Sequence, residues 1–423
     1  MVDYSNTDIS DRSRLYLDNA ATSFPKPPQV LQEMTDYAMR LGASAGRGAY
    51  REAVETGAIV TGCRHRLNQL FNGENANHFI FTLNCSDALN LAIKGLIDPL
   101  RHDAGRLPHA ICTHIDHNSI LRPLNALVSA GLLIQTRVAV DPSAGLVDPD
   151  NVRKAIRPET KLIAITHASN VTGTIQPIRE IGRIAREHAI PFIVDAAQSA
   201  GHVPIDVRED CIDLLAAPGH KGLLGPLGTG FLYIRPGVEK ALRTIREGGT
   251  GSVSELDRQP EFMPDKYEPG SQNAIGITGL SAGIKWVLSE GVGKLAAHER
   301  ELCATFIDRI GNVAGLRYFG PRGVRDRVGV FSVRIADLAP EELSAILETY
   351  YGILTRSGIH CAPLAHQAIG TAASGGTTRI SFGAFHTLQD ADSVANALMD
   401  ITRTTRCSGT TSSHGQNLEF ENV

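Results

Sequence analysis

The chain has 423 residues, of which 42% are hydrophobic and 20% charged, and this composition indicates a globular protein of about two or three domains. It excludes a disordered or fibrous chain. Lysine plus arginine number 41 against 45 acidic residues, and the sequence has no basic cluster of the kind that binds nucleic acid. Residues 1–14 lack the apolar segment of a secretory signal, and no run reaches membrane-spanning length. We therefore expect a cytoplasmic enzyme of small-molecule chemistry, without nucleic-acid or membrane partners.

The seven cysteines are scattered along the chain and form no C-x-x-C pair. They are Cys63, Cys85, Cys112, Cys211, Cys303, Cys361 and Cys407. An odd number without close spacing argues against a disulfide framework and against a zinc site. The pattern predicts reduced thiols and no bound metal, and one of these thiols is a candidate for reactivity.

Short apolar runs typical of buried strands recur in the first half of the chain. They cover 78–83, 109–114, 162–167, 191–197, 213–218 and 228–234. After the third run, Pro177 opens a segment whose apolar residues Ile178, Ile181 and Ile184 lie on one helical face. A strand, helix and strand in this order require parallel strands with a helical crossover. The pattern predicts an α/β doubly wound core.

From about Gly276 the pattern changes. Two long helices are predicted at 276–292 and 294–313, and a strand-like run follows at 328–335. A second, smaller α+β domain is the natural interpretation of this half.

These patterns predict the domain organisation. A large domain covers 15–273, after an N-terminal extension at 1–14, and the smaller C-terminal domain covers 274–405 and packs with the N-terminal segment. Residues 406–423 are rich in Ser, Thr, Gly and Asn and are predicted to form a flexible tail.

Two side chains with catalytic potential follow successive predicted strands. Asp195 ends the run PFIVD, which places its carboxylate at the carboxyl edge of the sheet, where ligands bind in open α/β folds. Lys221 follows the next run between Gly219 and Gly222, which allow close approach of backbone and ligand. A lysine buried there becomes nucleophilic and forms Schiff bases. Either residue alone is compatible with a structural or surface role, but together they indicate a pyridoxal phosphate site, with Asp195 facing the pyridine nitrogen and Lys221 the aldehyde.

A helix that follows the run at 78–83 offers a place for the phosphate. Ser86 is predicted to cap this helix, whose apolar face contains Leu89 and Ile93. Free amide groups at such an end favour a dianion, although many helices begin this way without a ligand. The glycine-rich string at 222–230 precedes a strand rather than opening a helix, and this argues against a dinucleotide fingerprint.

Three further residues suggest substrate chemistry. His117 follows the predicted strand at 109–114, where an imidazole either stacks on a planar cofactor or has a structural role. Cys361 lies in a Gly- and Pro-containing loop beside His360 and near Arg356, an electropositive setting that favours a thiolate, although most single cysteines are merely buried. Arg379 opens a strand and is a candidate for binding a carboxylate.

Motifs spread over residues 15–403 occur in the order of one known family. They are YLDNAAT (16–22), FTLNCSDALN (81–90), HIDHNS (114–119), HASNVTGTIQPI (167–178), VDAAQS (194–199), PGHKGLLGPLGTG (218–230), GGTGS (248–252), RSGIHCAP (356–363) and TRISFG (378–383). Together they resemble the class V aminotransferase family of the pyridoxal-phosphate-dependent fold type I, in particular its cysteine desulfurase and selenocysteine lyase branch. The resemblance implies a large domain with a mainly parallel seven-stranded sheet and a smaller α+β C-terminal domain.

The resemblance also implies a role for each matching position. The residues implied for the pyridoxal phosphate are Lys221 at the aldehyde, Asp195 at the pyridine nitrogen, His117 stacked on the ring and moving protons, Gln198 and Asn170 at the phenolate oxygen and the substrate side, Cys85, Ser86 and His220 at the phosphate, and Thr250 from the neighbouring subunit. Those implied for the substrate are Arg379 as the carboxylate clamp, Asn170, Ala21, and Cys361 as the cysteine that becomes a persulfide.

The implied activity is that of a homodimeric L-cysteine desulfurase, which converts cysteine to alanine and passes the sulfur from Cys361 to an acceptor protein, for example in iron–sulfur cluster assembly. A selenocysteine lyase or another class V lyase or aminotransferase stays open, because Lys221, Asp195 and Arg379 serve all of them. The presence of these three residues together with Cys361 argues against a non-catalytic sulfur-relay scaffold. Cys85 replaces a family threonine, and Pro218 replaces a serine or threonine, which predicts weaker phosphate binding.

Overall fold

The computed structural model of the chain describes residues 14–46, 48–97 and 106–409. Its strands are β1 (Leu15–Tyr16), β2 (Phe79–Thr82), β3 (His109–Thr113), β4 (Ile134–Val138), β5 (Thr160–Thr166), β6 (Phe192–Asp195), β7 (Leu214–Pro218), β8 (Gly230–Ile234), β9 (Leu316–Phe319), β10 (Val330–Ile335), β11 (Ile353–Leu354), β12 (Arg356–Gly358) and β13 (Thr377–Ser381). Its α-helices are α1 (Pro28–Asp36), α2 (Arg51–Phe71), α3 (Cys85–Leu96), α4 (Asn118–Ser129), α5 (Pro149–Ala155), α6 (Ile178–Glu187), α7 (Ala274–Glu290), α8 (Val292–Ile310), α9 (Pro340–Tyr351), α10 (Pro363–Ala368) and α11 (Leu388–Gly409). Strands and helices alternate from β2 to β6, as the sequence pattern predicts.

Seven strands form the large sheet, in the order β2-β8-β7-β6-β5-β3-β4. The pairs from β7 through β6, β5 and β3 to β4 are parallel, whereas β8 runs antiparallel to both β2 and β7. Every residue of β3, β6, β7 and β8 is buried, which is why these strands read as continuous apolar runs. The predicted α/β fold with a mainly parallel seven-stranded sheet is confirmed. The edge strand β4 is largely half-exposed and carries no such run, so the sequence pattern missed it.

Helices cover both faces of the large sheet. On one face α6 contributes Ile178 and Ile181, which pack with Phe192 of β6. On the other face α3 contributes Leu89 and Ile93. Because both faces are buried, the polar residues that follow the parallel strands collect at the carboxyl edge of the sheet.

A second sheet forms the core of the C-terminal part of the chain. It is antiparallel, with the order β12-β13-β10-β9, and Arg356 of β12 pairs with Arg379 of β13. Phe306 of α8 and Phe331 of β10 are at the centre of its core. The N-terminal segment belongs to this unit in space, because β1 pairs with β11 and Leu17 is buried in the same core.

The boundary between the two units follows the packing of the long helices. α7 begins at residue 274, the predicted start of the smaller domain, yet its Ile277, Leu280 and Ile284 lie in the core of the large sheet. We therefore propose that the smaller domain starts at the junction of α7 and α8. The division at residue 274 stays a prediction.

The two ends of the chain lie partly outside the described residues. α11 continues to Gly409, with Thr405 Oγ1 donating to Ile401 O, so the predicted start of a tail at residue 406 falls inside a helix. Residues 410–423 of that tail and residues 1–13 of the N-terminal extension are outside the described ranges. Among the residues that are described, no helix is long and apolar enough to cross a membrane.

Candidate functional site

A cavity opens at the carboxyl edge of the parallel strands of the large sheet. Its void, including the open mouth, measures about 510 Å³. The lining residues follow β2, β3, β5, β6 and β7 and are Asn84, Cys85, Ser86, His117, Ser119, Thr166, Ala168, Asn170, Asp195, Ala197, Gln198, Pro218, His220 and Lys221. The cavity brings together every residue of this chain that was predicted to hold the cofactor, except Thr250.

Asp195 is the last residue of β6 and is only 2% exposed. Its Oδ1 accepts hydrogen bonds from Ala197 N at 2.9 Å and from Cys85 Sγ at 3.3 Å. Burial raises the pKa of this carboxyl, while the Ala197 amide and the charge of Lys221 lower it. A cationic N–H partner in the cavity would favour the ionised carboxylate further.

Lys221 lies in the turn after β7. Burial lowers the pKa of its amine, and the Asp195 carboxylate opposes this effect. A lowered pKa increases the fraction of neutral amine, which is the form that acts as nucleophile and base. The arrangement therefore suits both attack on an aldehyde and removal of a proton.

The turn that carries Lys221 is fixed by the N-terminal segment. Ser23 Oγ donates to Lys221 O at 2.9 Å, and Lys26 Nζ donates to His220 O at 2.6 Å. Lys26 is itself partly buried, and burial lowers its pKa to about 8. These contacts hold the backbone on either side of the Lys221 side chain.

The glycines beside Lys221 serve the packing of the protein rather than the approach of a ligand. A Cβ at Gly222 would lie 2.4 Å from Ala200 O, and one at Gly219 would lie 2.1 Å from Thr229 Oγ1. The sequence argument assigned these glycines to ligand approach, whereas the structure shows that Ala200 O and Thr229 Oγ1 lie too close to allow a Cβ.

Asn84, not Ser86, caps α3. Asn84 Oδ1 accepts from Asp87 N at 3.0 Å, and the helix begins at Cys85. The prediction for Ser86 was wrong because an equally good cap precedes it by two positions. Ser86 lies in the first helical turn, and its hydroxyl is 2.7 Å from Ser119 Oγ. It still lines the cavity at the amino end of α3.

His220 and Cys85 both line the cavity but have different surroundings. His220 Nδ1 is buried and has no hydrogen-bond partner among the described residues, and burial lowers the pKa of the ring to about 4. The Cys85 thiol points at Asp195, and burial together with that carboxylate raises its pKa well above the usual value. Cys85 therefore contacts the carboxylate with its side chain, which the resemblance did not predict.

His117 both caps a helix and lines the cavity. Its Nδ1 accepts from Ser119 N at 3.1 Å and lies 2.9 Å from Ser119 Oγ, at the start of α4. Burial lowers the pKa of the ring to about 3, and the positive charges of Lys221 and Arg379 contribute to this shift to a lesser extent. Because Nδ1 accepts, the proton of this neutral ring is on Nε2. The structural and functional interpretations of His117 are thus compatible.

Arg379 lies on β13 and is only 1% exposed. Its Nη2 donates to Asp18 Oδ1 at 2.6 Å and its Nη1 to Asn170 O at 3.3 Å. Its Nε is buried and lacks a partner within the described part of the chain. Burial lowers the pKa of the guanidinium, and Asp18 opposes this effect. Asp18 was not predicted as a site residue, although it stands in the motif YLDNAAT.

Cys361 is exposed and lies on the loop between β12 and α10. Asn118 N donates to Cys361 O at 2.9 Å, and Asn170 Nδ2 donates to His360 O at 2.6 Å. Arg356 Nη2 is 3.9 Å from Cys361 Sγ. Two hydrogen bonds thus tie this loop to the residue after His117 and to a residue of the cavity lining.

The remaining predicted residues have different surroundings. Gln198 lines the cavity, and its Nε2 donates to Ala20 O at 2.9 Å, which leaves its Oε1 for another donor. Ala21 follows directly in the same turn. Thr250 is not part of the cavity lining, and its Oγ1 lies 3.1 Å from Ser252 Oγ. Its predicted contribution from a neighbouring subunit stays a prediction.

Comparison with known proteins agrees with this architecture. The chain is 33% identical over 394 residues to a probable cysteine desulfurase of Methanothermobacter thermautotrophicus, covering 92% of this chain and 95% of that one. The structure of a cysteine desulfurase from Thermococcus onnurineus superposes with a TM-score of 0.85 at 30% identity, over 92% and 95% of the two chains. The structure of a cysteine desulfurase from Escherichia coli superposes with a TM-score of 0.81 at 25% sequence identity, over 92% of this chain and 94% of that one. The sequence profile of the class-V aminotransferases matches residues 15–394, and this protein belongs to the aminotransferase class-V family.

Proposed function

We propose that the protein is a pyridoxal-phosphate-dependent L-cysteine desulfurase, which converts cysteine to alanine and retains the sulfur as a persulfide on Cys361. Its relatives of about 30% identity over nearly the whole chain carry the name cysteine desulfurase. The observation that carries the proposal is the attachment of the exposed Cys361 loop to the cavity that holds Lys221 and Asp195.

The residues of the cavity fit pyridoxal phosphate. The unpartnered, buried His220 Nδ1, the Ser86 hydroxyl and the amino end of α3 are suited to the phosphate. The Asp195 carboxylate, raised in pKa by burial, is suited to a protonated pyridine nitrogen. Lys221 is suited to the aldehyde, and the neutral His117 ring to stacking.

When bound, pyridoxal phosphate supplies an electron sink for the carbon that loses a proton. Lys221, whose pKa burial lowers, accepts the proton from Cα of the substrate. Arg379 binds the substrate carboxylate through the N–H groups of its guanidinium that Asp18 and Asn170 do not occupy, among them the N–H of Nε. His117, neutral at pH 7, holds its proton on Nε2 and would move a proton at that atom.

Cys361 then performs the step that distinguishes desulfuration from other reactions of the family. Its thiolate attacks the substrate sulfur, so an S–S bond forms on Cys361 while the bond between the substrate sulfur and Cβ breaks. The electron pair of that bond remains with the carbon, which is protonated to yield alanine. One cysteine and one enzyme thiol give one alanine and one enzyme persulfide, so the reaction needs no external oxidant or reductant.

The protein acts, in this proposal, as a cytoplasmic homodimer that passes sulfur to an acceptor protein. Several large apolar side chains in the N-terminal part of the chain are exposed, as expected for a subunit interface. The exposed fractions are 71% for Leu31, 81% for Met39 and 59% for Val54. Thr250 of one subunit would complete the site of the other. The six cysteines that the structure describes are all free thiols, as is usual in a reducing compartment.

The decisive experiment is incubation of the holoenzyme with L-cysteine or with L-selenocysteine in parallel. A desulfurase produces alanine and a persulfide on Cys361, with cysteine as an efficient substrate. Alanine from selenocysteine alone would indicate a selenocysteine lyase, and transamination without alanine would indicate an aminotransferase. Either of those results would overturn the proposal.

A further inference from the structure

Three buried side chains form a continuous series of hydrogen bonds, called the hydrogen-bond chain, next to the loop that carries Cys361. Thr371 Oγ1 lies 2.7 Å from His366 Nδ1, and His366 Nε2 lies 3.3 Å from His360 Nδ1. The chain ends where His360 Nε2 meets Arg356 O at 3.1 Å. His360, His366 and Thr371 are 3%, 0% and 2% exposed, and none of them lines the cavity. The chain therefore contacts the loop through residues that lie outside the cavity lining.

The partners impose one arrangement of protons on this chain. The Arg356 carbonyl oxygen only accepts, so His360 Nε2 carries the proton, and Nδ1 of a neutral ring accepts. His366 Nε2 must then donate to His360, and His366 Nδ1 accepts from the Thr371 hydroxyl. Burial lowers the pKa of His360 to about 2 and that of His366 to about 4, so both rings are neutral near pH 7.

The loop that these bonds support has an unfavourable backbone. His360 and Cys361 have φ angles of 51° and 58°, in the left-handed region that residues with a Cβ disfavour. Two successive residues of this kind persist only where the surroundings hold them. Asn118 and Asn170 hold the backbone carbonyl groups of the pair, and Arg356 O and His366 hold the His360 ring.

We propose that His366 is a positioning residue for Cys361, because the proton that it donates to His360 fixes the loop in the conformation that Asn170 ties to the cavity lining and Asn118 to the start of α4. This inference rests on the proposed function, in which Cys361 accepts the substrate sulfur. Without the donor, the His360 ring loses its fixed tautomer and orientation, and the bond to Arg356 O weakens. A shift of about 1 Å in a reacting group costs up to about 100-fold in rate.

Two substitutions separate the hydrogen bond from the bulk of the imidazole. The side-chain amide in His366→Gln supplies an N–H near the place of Nε2, whereas His366→Met has a similar length and no donor. In the holoenzyme, single-turnover formation of the persulfide with L-cysteine is followed by intact mass. Alkylation of Cys361 by iodoacetamide, located by peptide mass, is measured without substrate from pH 6 to pH 10. Thermal unfolding of both variants serves as the folding control.

We expect His366→Met to slow persulfide formation between about tenfold and 100-fold, with the KM for cysteine changed less than twofold, and to alter the pH profile of alkylation. His366→Gln should recover most of the rate. Wild-type rates in His366→Met, or equal losses in both variants, would overturn the proposal. If His366→Met does not fold, Thr371→Val takes its place, with Thr371→Ser as its rescue.

The alkylation measurement keeps this inference separate from the proposed function. If the wild-type protein forms no persulfide from cysteine, the desulfurase proposal fails, and the alkylation rates of Cys361 alone decide the role of His366. A change of threefold or more in His366→Met, absent in His366→Gln, supports positioning, and a smaller change refutes it.

Discussion

Arg379 Nη2 donates to Asp18 Oδ1 across 2.6 Å and so joins the small sheet to the N-terminal segment. The arginine side chain is 1% exposed and the aspartate side chain 20%. The buried cation is therefore neutralised before any substrate arrives, and a substrate carboxylate must share the guanidinium with Asp18. We therefore expect Asp18 to influence both the stability of the protein and its affinity for substrate.

Asp18→Asn should destabilise the protein and tighten the binding of cysteine. The loss of the carboxylate leaves a buried guanidinium without a counter-charge, which costs about 2 kcal/mol of unfolding free energy, and the same charge then attracts the substrate carboxylate more strongly. Urea unfolding and the KM for cysteine test both effects. Arg379→Gln is the matched control and should raise the KM at least about tenfold. A higher KM in Asp18→Asn would contradict this account of the ion pair.

Lys221→Ala should abolish turnover together with the borohydride-reducible bond to the cofactor, while the circular dichroism spectrum stays that of the wild type. The reason is that Lys221 is the amine within the cavity lining, held by the turn after β7. Lys26 contacts the same turn and also has a lowered pKa, so it is the matched control. Lys26→Met should keep the borohydride-reducible bond between the protein and the cofactor. A pyridoxyl group found on Lys26 after reduction and digestion would refute the assignment.

Asp195→Asn should retain some cofactor yet lower turnover by orders of magnitude. The phosphate contacts are unchanged, but the amide no longer stabilises a protonated pyridine nitrogen. Bound cofactor is measured by absorbance and turnover by release of alanine. Cys85→Ala removes the thiol that donates to Asp195 and provides a milder comparison. Turnover of Asp195→Asn at the wild-type rate would exclude this carboxylate from the reaction.

Cys361→Ser should bind cysteine with unchanged affinity and fail to accumulate a persulfide, because an alcohol is a far poorer nucleophile toward sulfur than a thiolate. The loss should be smaller with selenocysteine, since selenium leaves more readily. Intact mass after exposure to cysteine should show a gain of about 32 Da on the wild type and on the control variant Cys112→Ser, but not on Cys361→Ser. Cys112→Ser is the control, because that thiol is buried and its pKa is raised by burial. Persulfide on Cys85 or Cys112 would exclude Cys361 as the acceptor, and unaffected desulfuration without any enzyme persulfide would indicate direct release of sulfide.

The burial of His109 predicts that the unfolding free energy of the protein falls in mild acid. It is buried between the hydroxyls of Thr160 and Thr136, and burial lowers its pKa to about 4. Between pH 6.5 and pH 4 the unfolded chain binds a proton at this residue that the folded protein does not, so stability falls as pH decreases in this window and levels off below it. Between pH 7 and pH 5 the residue should contribute about 2 kcal/mol to this loss. His109→Gln should reduce the pH dependence of urea unfolding by that amount, and an unchanged slope would contradict the assignment.

The large sheet and most of the cavity were predictable from the sequence. Buried parallel strands require continuous apolar runs, and the residues that end these runs must meet at one edge of the sheet, as Asp195 and Lys221 do. The edge strand β4 was missed because it is half-exposed and has no such run. The helix cap at Ser86 was misassigned because Asn84 is an equally good cap two residues earlier.

The contacts that tune the site were decided by the tertiary structure alone. The sequence determined which side chains are suited to the chemistry, since residue type and local periodicity are properties of short segments. It did not reveal that Asp18 neutralises Arg379, that Cys85 donates to Asp195, or that His366 supports the Cys361 loop through His360. The first two of these pairs join residues 361 and 110 positions apart in the chain, and all three depend on directed contacts in the folded molecule. Such contacts arise only when the two sheets and the N-terminal segment pack together, because burial and hydrogen-bond geometry are properties of the folded chain rather than of any single segment.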